Sequence, residues 1–298
     1  MIESKSILNV KIHNFDSSLE EILEKIRSQK NVLVVTLDVH QLLKVNRNKK
    51  LREVINNASL VIAAHPSIAK AYHFLYKEKL VYIKDFLFFS NILSYIEQKK
   101  MTMFLFGNEE KYFFTIQNKI KKIYPDIQIL GSFQDTKDKQ ELEKAFLGFK
   151  KIEPDMFLIH MPFKKSLHWI YEHKDKLSMR FCIPVSRPLD SFAGKIKSPN
   201  LKTLEENKEE LFYIKRNIFR VFLKLNYIKF WILILFQKLF PKKEKKEKKV
   251  KDNNQDTNNN IIVNETNNSE ANNTNEVNNN ISETNNIDEA NNSNKENI

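Results

Sequence analysis

Residues 32–43 read Val-Leu-Val-Val-Thr-Leu-Asp-Val-His-Gln-Leu-Leu. Six apolar or β-branched residues end at an acid, and an apolar pattern with helical spacing starts at once. An unbroken run of this kind predicts a strand buried on both faces, the habit of parallel sheets. The same unit repeats along the chain. Strands are expected at Val32–Leu37, Leu60–Ala64, Met101–Gly107, Ile127–Leu130, Met156–Met161 and Phe181–Val185. Between and before them lie amphipathic stretches. Asp16 or Ser17 can cap a helix that carries Leu19, Ile22, Leu23 and Ile26 on one face. Further helices are expected over His40–Asn57, Ser67–Tyr76, Asp85–Gln98, Tyr112–Ile123, Gln140–Phe149 and Lys165–Asp175.

Strand–helix alternation implies βαβ crossovers. The expected fold class is α/β: a Rossmann-like parallel sheet with helices on both faces, followed by a C-terminal basic amphipathic helical appendage. Ligands of such sheets sit beyond the carboxyl ends of the strands. That rule singles out Thr36–His40, Ala64–Ser67, Gly107–Glu109, His160–Lys165 and Val185–Asp190. The chain has only Gly107, Gly131, Gly148 and Gly194, so neither a GxGxxG turn nor a P-loop fits. A nucleotide held here would be held without a glycine-rich cradle.

Composition divides the chain. From Asp252 to Ile298 the sequence is mostly Asn, Thr, Ser and Glu, too polar to offset the entropy of ordering, and disorder is expected there. This tail holds nine acids and Lys295, so the chain's net +12 leaves +20 on residues 1–251. A body so basic suits polyanionic partners such as diphosphates, anionic lipid or nucleic acid; a Lys- and Asn-rich codon bias would also produce it. Cys182 is the only cysteine and lies in an apolar run, so an inert buried thiol is expected and an internal disulfide is excluded. Met1–Val10 lacks the apolar run of a signal peptide, which predicts a cytoplasmic protein. Three parts are expected: an α/β domain over 1–200, an appendage over 201–240 and a disordered tail over 241–298.

The appendage reads LFYIKRNIFRVFLKLNYIKFWILILFQKLF over Leu211–Phe240, with six Lys or Arg and no acid. Arg216, Arg220 and Lys224 recur every four residues and so share one face. The apolar run Phe230–Phe236 is too short to span a bilayer. An interfacial helix is expected, its basic residues at the headgroups and its aromatics at the acyl boundary. Lys242–Lys251 adds a polybasic stretch worth roughly 1 kcal/mol per basic residue near an anionic leaflet. The alternative is a helix packed on the domain with a solvated lysine tail.

Three stretches resemble the WecG/TagA/CpsF glycosyltransferases. They are ILNVKIHNFDSSLEEILEKI (Ile7–Ile26), VVTLDVHQLLKVNRNKKLREVINNASLVIAA (Val34–Ala64) and DSFAGKIKSP (Asp190–Pro199). The resemblance runs over about residues 5–235. It implies transfer of an N-acetylhexosamine from a nucleotide-sugar, a UDP-sugar donor, to a polyprenyl-diphosphate-linked acceptor in cell-surface glycan synthesis. It implies no cofactor. Thr36 stands at the family's substrate-contacting Thr, and Asp38 at its Asn. Ala64 falls where the family has its presumed general base, with His65 next to it. The family's Gly-x-Pro-Lys-Gln-Glu loop becomes HMPFKKSLHWI (His160–Ile170), which keeps Lys165 and puts Ser166 at the Gln position. Asp85 remains from the family's Gly-x-Asp. Arg216 and Arg220 sit where the appendage arginines bind the acceptor diphosphate.

The resemblance therefore gives His65 and Asp38 as candidate catalytic residues. Imidazole is a base suited to neutral pH, provided the loop turns His65 into the cleft; otherwise His65 caps the following helix. Asp38 equally suits the cap of a helix starting near His40. Thr36, Asp85, Lys165, Ser166, Arg216 and Arg220 are candidate substrate-binding residues. His160 and His168 are eight apart, which matches no common ligand spacing, so no metal is expected. The expected location is the inner face of the plasma membrane, peripherally, on an anionic surface. A homo-oligomer is left open, and nucleic acid is disfavoured because the charge lies beside an apolar stripe. A non-catalytic relative that binds a sugar nucleotide or a partner transferase is the alternative function.

Overall fold

The computed structural model describes residues 2–177, 179–197 and 223–240. Arg216, Arg220, the side chain of Lys224, the polybasic stretch 242–251 and the Asn-rich tail lie outside them.

Six strands form one parallel sheet. They are β3 (Val32–Leu37), β4 (Leu60–Ala63), β5 (Thr102–Gly107), β6 (Gln128–Gln134), β7 (Met156–His160) and β8 (Phe181–Pro184), in the spatial order β4-β3-β8-β7-β5-β6. The core strands are buried on both faces, which is why their sequences run apolar without alternation.

Helices cover both faces. Val35, Leu37, Val61, Phe106, Phe157 and Ile159 face one layer. That layer contains α2 (Val39–Arg47), α3 (Lys49–Asn56), α4 (Pro66–Tyr76), α7 (Lys139–Ile152) and α8 (Phe163–His173). Val34, Ile62, Leu105, Leu158 and Ile183 face the other. There lie α1 (Leu19–Ile26), α5 (Asp85–Gln98), α6 (Phe113–Ile123) and the short α9 (Arg187–Phe192). The α/β class with a parallel sheet between two helical layers is therefore what the apolar runs predicted.

Two elements depart from the sequence expectation. The single helix expected over His40–Asn57 is two, because Asn48 takes an extended backbone (φ −119°, ψ 114°) and caps α3 through Leu51 N–H. Before α1 lies a hairpin, β1 (Glu3–Ile7) and β2 (Val10–Asn14), outside the main sheet. Its turn residues Leu8 and Asn9 have φ of 50° and 62°, the paired positive values that match a two-residue turn to strand twist. Asn suits that geometry and Leu does not.

The last described helix, α10 (Leu223–Leu239), packs on α2 and α4. Tyr227, Phe230, Ile234 and Gln237, spaced three or four apart, form its inner face, and Phe230 and Ile234 are fully buried. Gln237 grips the hairpin turn: Leu8 N–H donates to its Oε1 at 2.8 Å, and its Nε2 donates to Ser6 O at 2.9 Å. The outer face shows Leu225, Ile228, Ile232, Leu235, Phe236 and Leu239 to solvent. Among the described residues no helix is long and apolar enough to cross a membrane.

Candidate active site

The chain leaves β3 through α2 and α3 on one face and reaches β4 at one edge. It leaves β5 through α6 on the opposite face and reaches β6 at the other edge. Connections that diverge in this way open a crevice above the carboxyl ends of the strands between them, here β8 and β7. Two groups of polar residues flank that crevice.

The first group crowns β3 and β4. Thr36 is buried near the end of β3. Asp38 and Gln41 form a reciprocal capping box at the start of α2: Gln41 N–H donates to Asp38 Oδ1, and Asp38 N–H to Gln41 Oε1, each at 2.7 Å. The other oxygen of Asp38 lies 3.7 Å from Arg187 Nη1. His65 caps α4, its Nδ1 accepting from Ser67 N–H at 3.0 Å. A neutral imidazole that accepts at Nδ1 carries its proton on Nε2, and Nε2 faces the Tyr227 hydroxyl at 3.4 Å. Tyr227 of α10 stands between His65 and His40, 5.3 Å from each ring, while Asn226 reaches His40 Nδ1 at 3.2 Å. Both residues read from sequence as proton acceptors thus serve as helix caps. Asp85 opens α5, where a carboxylate favours the helix dipole.

The second group crowns β5 to β8. Lys165 Nζ donates to Asn108 Oδ1 at 2.7 Å and pairs with Asp135 Oδ2 at 2.8 Å, tying the loops after β5 and β6 to the first turn of α8. A cleft of about 460 Å³ opens beside Asp135, between Glu110, Phe113, Phe133 and Thr136. His160, buried at the end of β7, meets Asp190 of α9: Nε2 to Oδ1 is 2.9 Å. Lys195 lies 3.6 Å from the same oxygen, pairs with Glu109 and covers the Tyr112 ring at 4.3 Å. Its hydrogen bond holds the Glu109 carboxyl below the usual range. Burial opposes the charge on Lys195, but Glu109 and Asp190 outweigh it and raise its pKa. Ser166 is fully buried, its hydroxyl donating to Phe163 O at 2.8 Å, so in this conformation it braces the first turn of α8.

Gly107 is required where it stands. A Cβ there would lie 2.5 Å from His160 O, since β5 and β7 pair these two residues directly. Cys182 is buried and its thiol is pushed up to about 12, the inert thiol the sequence suggested. Among the described residues no group of three or more His, Cys, Asp or Glu is placed to hold a metal.

The model of the glycosyl transferase WecG/TagA/CpsF family matches residues 5–244. The chain belongs to this family. It is also similar to the N-acetylglucosaminyldiphosphoundecaprenol N-acetyl-beta-D-mannosaminyltransferases of Staphylococcus aureus strains NCTC 8325 / PS 47, COL and MRSA252. Identity is 23% over 170 residues, 56% of this chain and 65% of each relative. The chain therefore spans somewhat less than two thirds of those relatives.

The strand-end rule singled out Thr36, Asp38, His65 and Lys165, which the family resemblance then gave roles, and also Asn108, Arg187 and Asp190, which received none. Neither reading gave a role to Asp135, Lys195 or Tyr227. Asp190 was within reach: it lies beyond a strand end, and only the six-residue helix α9, too short for a periodic signal, hid its aim at His160.

Proposed function

We propose that this chain transfers an N-acetylhexosamine from a UDP-sugar to a polyprenyl-diphosphate-linked acceptor in cell-envelope glycan assembly. The observation that carries this reading is the family match over residues 5–244, joined to a polar, switch-point crevice at the carboxyl ends of β3 to β8. The donor diphosphate lies toward Lys165, whose cation is half-exposed and already bridges Asn108 and Asp135. The nucleoside uses the cleft beside Phe133. Thr36 and Asp85 serve the sugar from the β3–β4 side, while Asp38 holds Arg187 there. Arg216 and Arg220 supply guanidinium forks to the acceptor diphosphate.

The acceptor is a lipid, so the enzyme works at the inner face of the plasma membrane. The outer face of α10 supports this. Its apolar side chains form a contiguous stripe, and Lys242–Lys251 follows at once in sequence. In this reading residues 1–200 are the catalytic domain, 201–240 the membrane appendage and 241–298 a solvated tail.

A second reading, a non-catalytic relative that binds a sugar nucleotide, is favoured by one observation: Ala64 holds no proton acceptor. Incubating the full chain with UDP-N-acetylhexosamines and a short polyprenyl-diphosphate sugar decides between them. Acceptor extended by one N-acetylhexosamine, seen by mass spectrometry, is the expected result. Saturable donor binding with no extension from any donor would replace the first reading with the second.

A further inference from the structure

Glycosyl transfer to a hydroxyl needs a group that takes the hydroxyl proton as the new bond forms. Residue 64 is alanine. Its neighbour His65 spends its Nδ1 lone pair on Ser67 N–H, and its Nε2 faces Tyr227. Asp38 is engaged by Gln41 N–H and by Arg187.

His160 is differently placed. Strand alternation puts it on the same sheet face as Thr36 and Ala64, because Leu158 shares a layer with Val34 and Ile62. It ends β7, one of the two strands beneath the crevice. The carboxylate of Asp190 can only accept, so His160 Nε2 carries the proton and a neutral ring presents an unprotonated Nδ1. That Nδ1 is buried and has no hydrogen-bond partner, while the residue is only 5% exposed. A buried acceptor left unmatched costs stability, and native proteins keep few of them. The surroundings fit a proton acceptor as well. Asp190 lies 3.6 Å from Lys195, which itself pairs with Glu109, so an acid is held against the ring where an imidazolium would need a counter-charge. Gly107 leaves room for the His160 backbone where any side chain would collide. The sequence HMP puts this histidine where the resembling loop begins with glycine.

We propose that His160, oriented by Asp190, is the general base of the transfer, in place of a carboxylate at position 64. The proposal rests on the transferase reading. In the step, the acceptor hydroxyl oxygen bonds to the anomeric carbon and its proton passes to His160 Nδ1. The bond from that carbon to the diphosphate oxygen breaks, and its electron pair leaves with the nucleoside diphosphate. Asp190 holds the imidazolium without taking its proton. The ring returns the proton to water once product departs.

The test uses the full chain, a UDP-N-acetylhexosamine, a short polyprenyl-diphosphate sugar and three variants. His160→Gln is expected to lower kcat by about 10²- to 10⁴-fold, with donor affinity within about twofold. Asp190→Asn should lower kcat and displace the acid limb of the pH–rate profile, because an amide can stabilise the wrong tautomer. Added imidazole should restore part of the turnover of His160→Gly, a recovery that a merely structural role would not give. Unchanged kcat in His160→Gln, or a raised KM at normal kcat, would overturn the base assignment while leaving the transferase reading intact. No transfer by the parent with any donor would overturn both.

Discussion

His13 of β2 is buried and accepts a hydrogen bond from Val61 N–H at 2.8 Å, pinning the hairpin to β4. Burial, with Lys11 beside it, depresses its pKa to about 4. The unfolded chain binds a proton there near pH 6.5, and the folded chain refuses it until about pH 4. Stability is therefore full above pH 6.5 and drains between those values, by up to about 3 kcal/mol. Urea denaturation at pH 7 and pH 4.5 should show that loss in the parent and a smaller one in His13→Gln. Equal losses would remove His13 as the titrating group. At this scale the sequence was a partial guide. It placed Lys165 and Thr36 at strand ends, but a histidine's tautomer and partners depend on what folds against it. His65 and His160 look alike as letters; a cap on one and an aspartate beside the other separate them.

Among the elements, α10 joins the sheet-end site to the hairpin. Its Tyr227 and Asn226 contact the two histidines above β3 and β4, and three turns later Gln237 holds the Leu8 turn. Phe230, fully buried between these points, carries the packing. Phe230→Ala should cost about 3–5 kcal/mol by cavity formation, or less if α10 detaches. Detachment would appear as faster hydrogen exchange at Leu8 N–H, and the absence of both changes would refute the docking. The strands were legible because burial on both faces leaves unbroken apolar runs. The first strand of the hairpin was not, since Glu3, Ser4, Lys5 and Ser6 interrupt any such run. The break at Asn48 escaped because apolar spacing continues through it, from Leu42 and Val45 to Leu51 and Val54.

For the molecule as a whole, the outer stripe of α10 lies on the side of the helix away from the domain that its inner stripe serves. If the stripe meets lipid, Ile232→Glu and Phe236→Glu should each leave the urea midpoint nearly unchanged, since both side chains are half-exposed. Each should also weaken sedimentation with anionic vesicles severalfold, with binding that falls as salt rises. Retained vesicle binding in the double variant would remove α10 from the contact. The basic balance of residues 1–251 suits an anionic partner but names no face for it. The packing of Phe230 and Ile234 decides the side of α10 left outside, and that side is what the vesicle experiment tests.

The most direct measurement is calorimetric titration of a UDP-N-acetylhexosamine into the full chain and into Lys165→Ala. Lys165 is half-exposed, so its truncation should leave the fold standing. Saturable binding by the parent, weakened about tenfold or more in the variant, is the predicted result, since a charge-assisted hydrogen bond to a diphosphate is worth roughly 1.5–3 kcal/mol. Binding of equal strength in both would contradict a donor site at the carboxyl ends of β5 to β7.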